Sequence, residues 1–296
     1  MAAATVNQIY AFPSTFIENI AVLADGTLLL STLDSEGLLF TLDPNEPNPE
    51  PKPLGSFGDA TGLSGIVPLD DDLVAVSGGV HSTFAFERGS MKVFIVSIKT
   101  RSVVDTIPFP DTAVMNGMTA LPGSPTKLVS ADSQDGRILL IDTVSKEVSV
   151  LIDDDALRPI AGAFPPIGIN GVRSKDDYLY YTNSAKGTFG RFRVGDGGKE
   201  IGEAEILAKS PGMEEIYDDF IFDNNGNAYV AAHSTSVVKI PPGGQHTTLA
   251  GGGSDTLFKE PTSVALSNDG KSIYVCTGGA RGPEPKVGGQ VIQIQI

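Results

Sequence analysis

Cysteine is almost missing from this chain: Cys276 stands alone among 296 residues, so no intrachain disulfide and no cysteine-based metal cluster can form. Tryptophan is absent, and histidine occurs three times, at 81, 233 and 246. Positive charge is short as well, with 21 Lys and Arg against 36 Asp and Glu and a net charge of −15. Phosphate binding needs clustered cations, so this balance argues against a nucleic-acid partner and disfavours an anionic membrane surface; neither is expected. No apolar run approaches the ~20 residues of a membrane-spanning helix. The opening MAAATVNQIYAF lacks the apolar stretch of a signal peptide, and no Asn-x-Ser/Thr acceptor occurs. A cytoplasmic setting is the expectation, with a secreted form whose leader has been removed left open. No GxSxG elbow, Walker loop, GxGxxG unit or HExxH helix is found, which leaves hydrolase triads, nucleotide binding and zinc proteolysis without support.

What is present points to many short strands. Hydrophobic residues make up 41% and charged residues 19%, and the 34 Gly and 20 Pro demand frequent turns. Six segments share one pattern: a small or polar residue, an alternating strand, a turn rich in Asp, Asn or Gly, and a second strand ending in small polar residues. They begin at Glu18 (ENIAVLADGTLLLSTL), Ser64, Asn116 (NGMTALPGSPTKLVSADS), Asn170, Asp218 (DDFIFDNNGNAYVAAHS) and Thr262. Starts about 44 to 54 residues apart match four-stranded propeller blades. Third strands follow, as in 91–98 and 136–142, and fourth strands in several units, as in 102–109 and 204–210. The last unit ends at GQVIQIQI without a fourth strand, which VNQIYAF (6–12) can supply. The expected fold is therefore all-β, a single six-bladed β-propeller over 1–296, its ring closed by the N-terminal strand pairing with the last blade.

The repeat also sets which residues share an end of the central channel. Turns between first and second strands (Asp25-Gly26, Asp70 to Asp72, Asp223 to Gly226, Asp269-Gly270) fall at one end. A calcium loop needs Glu at its twelfth position, and counting from Asp223 gives Ser234, so ordinary turn chemistry accounts for these acids. Entries to the first strands fall at the other end: Glu18, Ser64, Asn116, Asn170, Asp218 and Thr262. Two carboxylates and two amides among them form an oxygen set suited to Ca²⁺ or Mg²⁺; the plainer role is to cap loops beside channel water. The turns after second strands add Asp34, His81, Asp132, Asn183 and His233. Either of these histidines could bond a ligand or move a proton near neutral pH, although a loop histidine is more often structural. His246, in an outer stretch, is expected to be solvated, and Cys276 to be buried filler. The entry loops also carry Phe16-Ile17, Val114-Met115, Phe164 to Ile169, Met213 with Ile216-Tyr217, and Leu257-Phe258. Some of these pack between blades, and together they suggest a pocket for a bulky apolar molecule. Whether the long loops at 77–90 and 277–290 close over this mouth as lids is left open by the sequence.

On IENIAV, MNGM, INGV and YDDFIFD the chain resembles the senescence-marker-protein/gluconolactonase (regucalcin-like) six-bladed propellers along nearly its whole length. The resemblance implies a divalent-metal site at Glu18, Asn170 and Asp218 and substrate contact by Asn116. The chain departs from the sugar lactonases of that family. It has Glu-Asn-Ile where they usually show Glu-Gly-Pro, it has no Trp, and Val114 stands where they often place an Arg that reads the sugar acid. The ENIAV, NGM, NG and DDF combination is instead similar to a fungal branch that includes the hetero-Diels–Alderases of tropolonic sesquiterpenoid pathways.

Three functions follow as expectations. The first is a cofactor-independent ring closure of a small hydrophobic substrate, a fungal secondary-metabolism step of hetero-Diels–Alder type. Asn116, Asn170, His81 and His233 are then the polar catalytic contacts, and Phe16, Met115 and Tyr217, with Asn183 and Asp132, the substrate-binding residues. The second is a lactonase or related hydrolase dependent on a divalent metal (Ca or Mg) held by Glu18, Asn170 and Asp218. The third is a non-catalytic propeller that binds partners at its mouth. Nothing in the sequence sets the oligomeric state.

Overall fold

The structure, a computed structural model, describes residues 4–33, 36–82, 85–163, 165–198, 200–212, 215–255, 257–280 and 287–296. Its strands form six four-stranded antiparallel sheets, each one blade of a ring. The innermost strands are Ile17–Val22, Gly62–Pro68, Met115–Leu121, Ile169–Lys175, Ile216–Phe222 and Pro261–Leu266. Each touches its counterpart in the next blade, and the sixth touches the first. The expected six-bladed propeller is the observed fold.

Closure works as the sequence suggests. The N-terminal strand Val6–Ala11 pairs antiparallel with Gln290–Gln295, in register from Val6 opposite Ile294 to Ala11 opposite Gln290. Gln290 Nε2 also donates to Gln8 Oε1 at 2.6 Å. Blade six therefore gains its outer strand from the opposite end of the chain, and no edge is left where the ring meets itself.

The core is divided into six apolar clusters, one at each blade-to-blade interface. This division explains why middle strands such as Leu28–Thr32 are buried at every position. A neighbouring blade covers each face, so strict alternation gives way to continuous apolar runs. The turns between first and second strands are held by their own side chains. Asp70 Oδ1 accepts from Asp72 N and Leu73 N at 2.7 Å, and Asp223 Oδ1 accepts from Asn225 N at 2.8 Å and Asn227 N at 2.9 Å. These acids serve turns, as their sequence context indicates. Blade one closes on a two-residue fourth strand, Lys52–Pro53, too short to read as a strand in the sequence. Among the described residues no helix is long and apolar enough to cross a membrane.

Candidate functional site at the channel mouth

Every innermost strand carries a β-bulge near its start, with register shifts between Ile17 and Asn19, Leu63 and Ile66, Met115 and Met118, Ile169 and Val172, Tyr217 and Phe220, and Pro261 and Ser263. A bulge breaks the ladder locally and re-aims side chains. In phase around the ring, the six bulges bring two consecutive residues per blade to the channel. The upper ring is Glu18, Ser64, Asn116, Asn170, Asp218 and Thr262. The lower is Asn19, Gly65, Gly117, Gly171, Asp219 and Ser263.

The lower ring shuts the channel. On one side three glycines let adjacent strands meet: a Cβ on Gly117 would come within 2.7 Å of Gly171 Cα, and one on Gly65 would run into Asn116 O. On the other side Asp219 gathers the remaining blades. Its Oδ2 accepts from Arg173 Nη2 at 2.5 Å, Asn19 Nδ2 at 3.0 Å and Ser263 Oγ at 3.0 Å. The mouth is thus a recess floored by a buried ion pair and close-packed backbone.

Within the upper ring, exposure separates two groups. Ser64 and Thr262 are each 1% exposed. Their hydroxyls are spent on main-chain carbonyls of the next blade, Ser64 Oγ donating to Met115 O at 2.7 Å and Thr262 Oγ1 to Ile17 O at 2.8 Å. Glu18, Asn116, Asn170 and Asp218 keep between 5% and 7%, so these four form the solvent-touched floor. The Asn116 amide makes no hydrogen bond among the described residues. Asn170 Nδ2 donates to Ser184 Oγ at 3.0 Å, while its Oδ1 is buried with no hydrogen-bond partner among them.

Asp218 and His233 form a carboxyl–imidazole pair at the mouth. His233 Nε2 lies 2.7 Å from Asp218 Oδ2, and its other ring nitrogen makes no hydrogen bond among the described residues. Burial pushes the Asp218 carboxyl above the usual carboxylate range; His233 and Asn170 act against that rise, and the neighbouring Asp219 adds to it. The strand end Ala228–His233 places the imidazole, because second strands finish at the same end of the channel where first strands begin.

The structure brings Glu18, Asn116, Asn170, Asp218 and His233 together and separates other expected residues from them. His81 is a hairpin anchor: its Nε2 sits 3.3 Å from Met91 Sδ, its main chain is tied twice to Thr61, and burial lowers its pKa to about 4. Asp132, fully buried, is bound by Arg137 Nη2 at 2.6 Å. Asn183, equally buried, donates to Ala156 O and Arg158 O at 3.0 Å and accepts from Lys186 N. Both hold loops and have no surface left for a ligand. Met115 and Tyr217 are also 0% exposed, packed in the clusters between blades two and three and between blades four and five. Interblade packing claims Ile17 and Phe258 as well, and Val114 is buried. The apolar rim is therefore narrower than expected: half-buried Phe16, whose ring lies against Gly278, with Ile167, Ile216 and Leu257. Asp34, Phe164, Met213 and parts of the loops 77–90 and 277–290 lie outside the described residues.

His246 corrects the expectation of a solvated residue. Its Nδ1 is 2.6 Å from the Tyr217 hydroxyl and its Nε2 is 2.9 Å from Glu215 Oε2, and the two rings stack at 5.8 Å. Its side chain is 16% exposed. Neither histidine spacing nor strand pattern signals this, since the contact crosses a blade from outer to inner strand. Cys276 is buried filler as expected; burial raises its thiol pKa, and the charges of both Glu18 and Asp218 add to the rise.

Two surface clefts lie away from this chemistry, at the other end of the propeller. One of about 290 Å³ lies between blades four and five, beside Lys175, Tyr180 and Phe222, and one of about 310 Å³ between blades one and six, beside Asp25, Asn268 and Tyr274. Neither holds a cluster of groups comparable to the mouth.

No family model matches the chain. It is similar to a protein from Phoma sp described as “Putative hetero-Diels-Alderase”, 26% identical over 89% of this chain and 83% of that one. Among solved structures it superposes on a gluconolactonase from Xanthomonas campestris (TM-score 0.67, 13% identity, 99% of this chain and 89% of that one). It also superposes on a luciferin-regenerating enzyme (TM-score 0.69, 17% identity, 99% and 96%). A third is a calcium-binding regucalcin from Agrobacterium tumefaciens (TM-score 0.66, 15% identity, 100% and 97%). These neighbours share the six-bladed fold.

Proposed function

We propose that this chain is an enzyme that closes a ring in a small hydrophobic substrate at the propeller mouth, by a hetero-Diels–Alder addition. One observation carries the reading. The described groups of the mouth can bond and polarise a ligand but offer no activated nucleophile: the Ser64 and Thr262 hydroxyls are held by main-chain carbonyls and the Cys276 thiol is buried with its pKa raised. A [4+2] closure suits that set. One carbon–carbon and one carbon–oxygen bond form, no atom leaves, and catalysis consists of holding two partners in reacting geometry and stabilising charge on the heterodiene oxygen.

In this reading the Asn116 Nδ2 group donates to the carbonyl oxygen of the heterodiene, worth about 10²–10³ in rate for a well-placed donor. His233 presents its free ring nitrogen, accepting when the ring is neutral with its Nε2 proton toward Asp218, and donating when the ring is charged. Phe16, Ile167 and Leu257 shape the apolar side, and the closed lower ring bars water from below. The likeness to the Phoma protein over most of both chains supports the reaction class. The test is conversion of a heterodiene precursor and alkene to cyclised product, resolved on a chiral column. Asn116→Ala is expected to lose at least tenfold in turnover with the fold unchanged; wild-type protein that leaves the uncatalysed rate and stereochemistry unchanged overturns the reading.

A second reading rests on Asn170. Its partnerless buried Oδ1, beside Asp218 and in a mouth shared with Glu18, fits a hard cation as an all-oxygen set. Glu18, Asn170 and Asp218 would hold it, and when bound it would polarise a lactone carbonyl and acidify water. Lactone turnover abolished by a chelator and restored by Ca²⁺ or Mg²⁺ selects this reading; ring closure unchanged by the chelator selects the first.

A further inference from the structure

The entry to blade five is built unlike the other entries. Within the segment Glu215 to Asp218, each of three side chains engages a histidine. Asp218 Oδ2 lies 2.7 Å from His233 Nε2 and the Tyr217 hydroxyl 2.6 Å from His246 Nδ1, while Glu215 Oε2 faces His246 Nε2 at 2.9 Å without making a hydrogen bond. The main chain is pinned as well, since Tyr217 O accepts from Ser184 Oγ at 2.8 Å, and Ser184 Oγ in turn accepts from Asn170 Nδ2 at 3.0 Å. Tyr217 is fully buried, and burial together with the charge of Glu215 raises its pKa, so its hydroxyl stays protonated beside His246 Nδ1. His246 precedes the outer strand Thr247–Gly251 and stacks on the Tyr217 ring. The outer edge of the blade is thereby coupled to the bulge that aims Asp218.

A lone buried hydroxyl on an inner strand asks only for one acceptor. Here it meets an imidazole whose other nitrogen faces a carboxylate two residues upstream of the tyrosine. Glu215 and Tyr217, both just before Asp218, thus meet one ring of the blade's outer edge. We infer that His246 is a positioning residue of the mouth: acting through Tyr217, it holds Asp218 and the Asn170–Ser184 pair in place without touching the ligand. The effect on turnover rests on the proposed ring-closing function; the effect on Asp218 and His233 does not.

Because the chain has three histidines, long-range ¹H–¹⁵N correlation of the imidazoles reads each ring separately, with His81→Gln identifying the ring remote from this blade. Tyr217→Phe removes one oxygen and keeps the buried ring; His246→Ala removes the clamp. Both are expected to displace the His233 nitrogen shifts while those of His81 stay fixed. With a cyclising substrate both lower kcat about ten- to a hundredfold at little-changed KM. His233 shifts unchanged in folded Tyr217→Phe protein overturn the inference. Displaced shifts in a protein whose wild type closes no ring support the inference and refute the ring-closing function instead.

Discussion

Replacing Asp219 by Ala is the sharpest stability test this architecture offers. The carboxylate is 1% exposed and takes Arg173 from blade four, Asn19 from blade one and Ser263 from blade six on a single oxygen, while its other oxygen accepts from Phe220 N at 2.8 Å. Losing a neutral hydrogen bond costs about 1 kcal/mol net. Here the loss also strands the Arg173 guanidinium, 13% exposed, with only the carbonyls of Val172 at 2.9 Å and Met118 at 3.4 Å. Breaking one partner of a buried pair costs about 3–5 kcal/mol, so the stranded charge dominates. Asp219→Asn, which keeps an acceptor but no charge, is expected to cost about 2 kcal/mol. Arg173→Met on the Asp219→Ala background should recover part of the loss by removing the unpaired cation. Urea unfolding followed by far-ultraviolet circular dichroism measures all four proteins, with the midpoint moving and the slope constant. A cost below about 1 kcal/mol for Asp219→Ala, or a double variant no more stable than the single one, refutes the account of the channel floor.

Two further outcomes follow from the same contacts. Burial holds the His81 pKa at about 4 against 6.5 for the free side chain. Below pH 6.5 the unfolded chain takes up a proton that the folded chain refuses, so stability falls as pH drops from 6.5 towards 4, by about 3 kcal/mol in all. His81→Gln should lack that part of the acid slope; identical slopes in pH-dependent urea melts would contradict it. Deleting residues 1–12 removes the strand paired with Gln290–Gln295 and opens an edge. At about 1 kcal/mol per lost ladder bond, the cost is several kcal/mol, with self-association through the bared strand. A truncated chain that melts as the full one does, and remains the same size by light scattering, would show that the closure is dispensable.

The sequence by itself determined the propeller, because the signals that specify it are local. Turn acids such as Asp70 and Asp223 bond their own backbone within a few residues, and strands between them repeat at blade spacing, so the number of blades, their phase and the closing strand were all legible. Phase alone also assembled Glu18, Asn116, Asn170 and Asp218 at one end. Tertiary structure decided what each of those groups is free to do. Asn19 and Asp219, 200 residues apart, meet only because the ring closes, and no pattern along the chain announces that pair, its Arg173 partner or the glycine layer beside it. The same holds for Tyr217 and Met115, apolar residues at the mouth in sequence, which the neighbouring blades bury. His246 looked peripheral in sequence because its partners lie across a blade. Periodicity reports which residues share a face or an end. Which of them keep any open surface depends on how blades pack against one another, and that packing leaves a little on Asn116, Asn170 and Asp218 and a quarter of the His233 side chain.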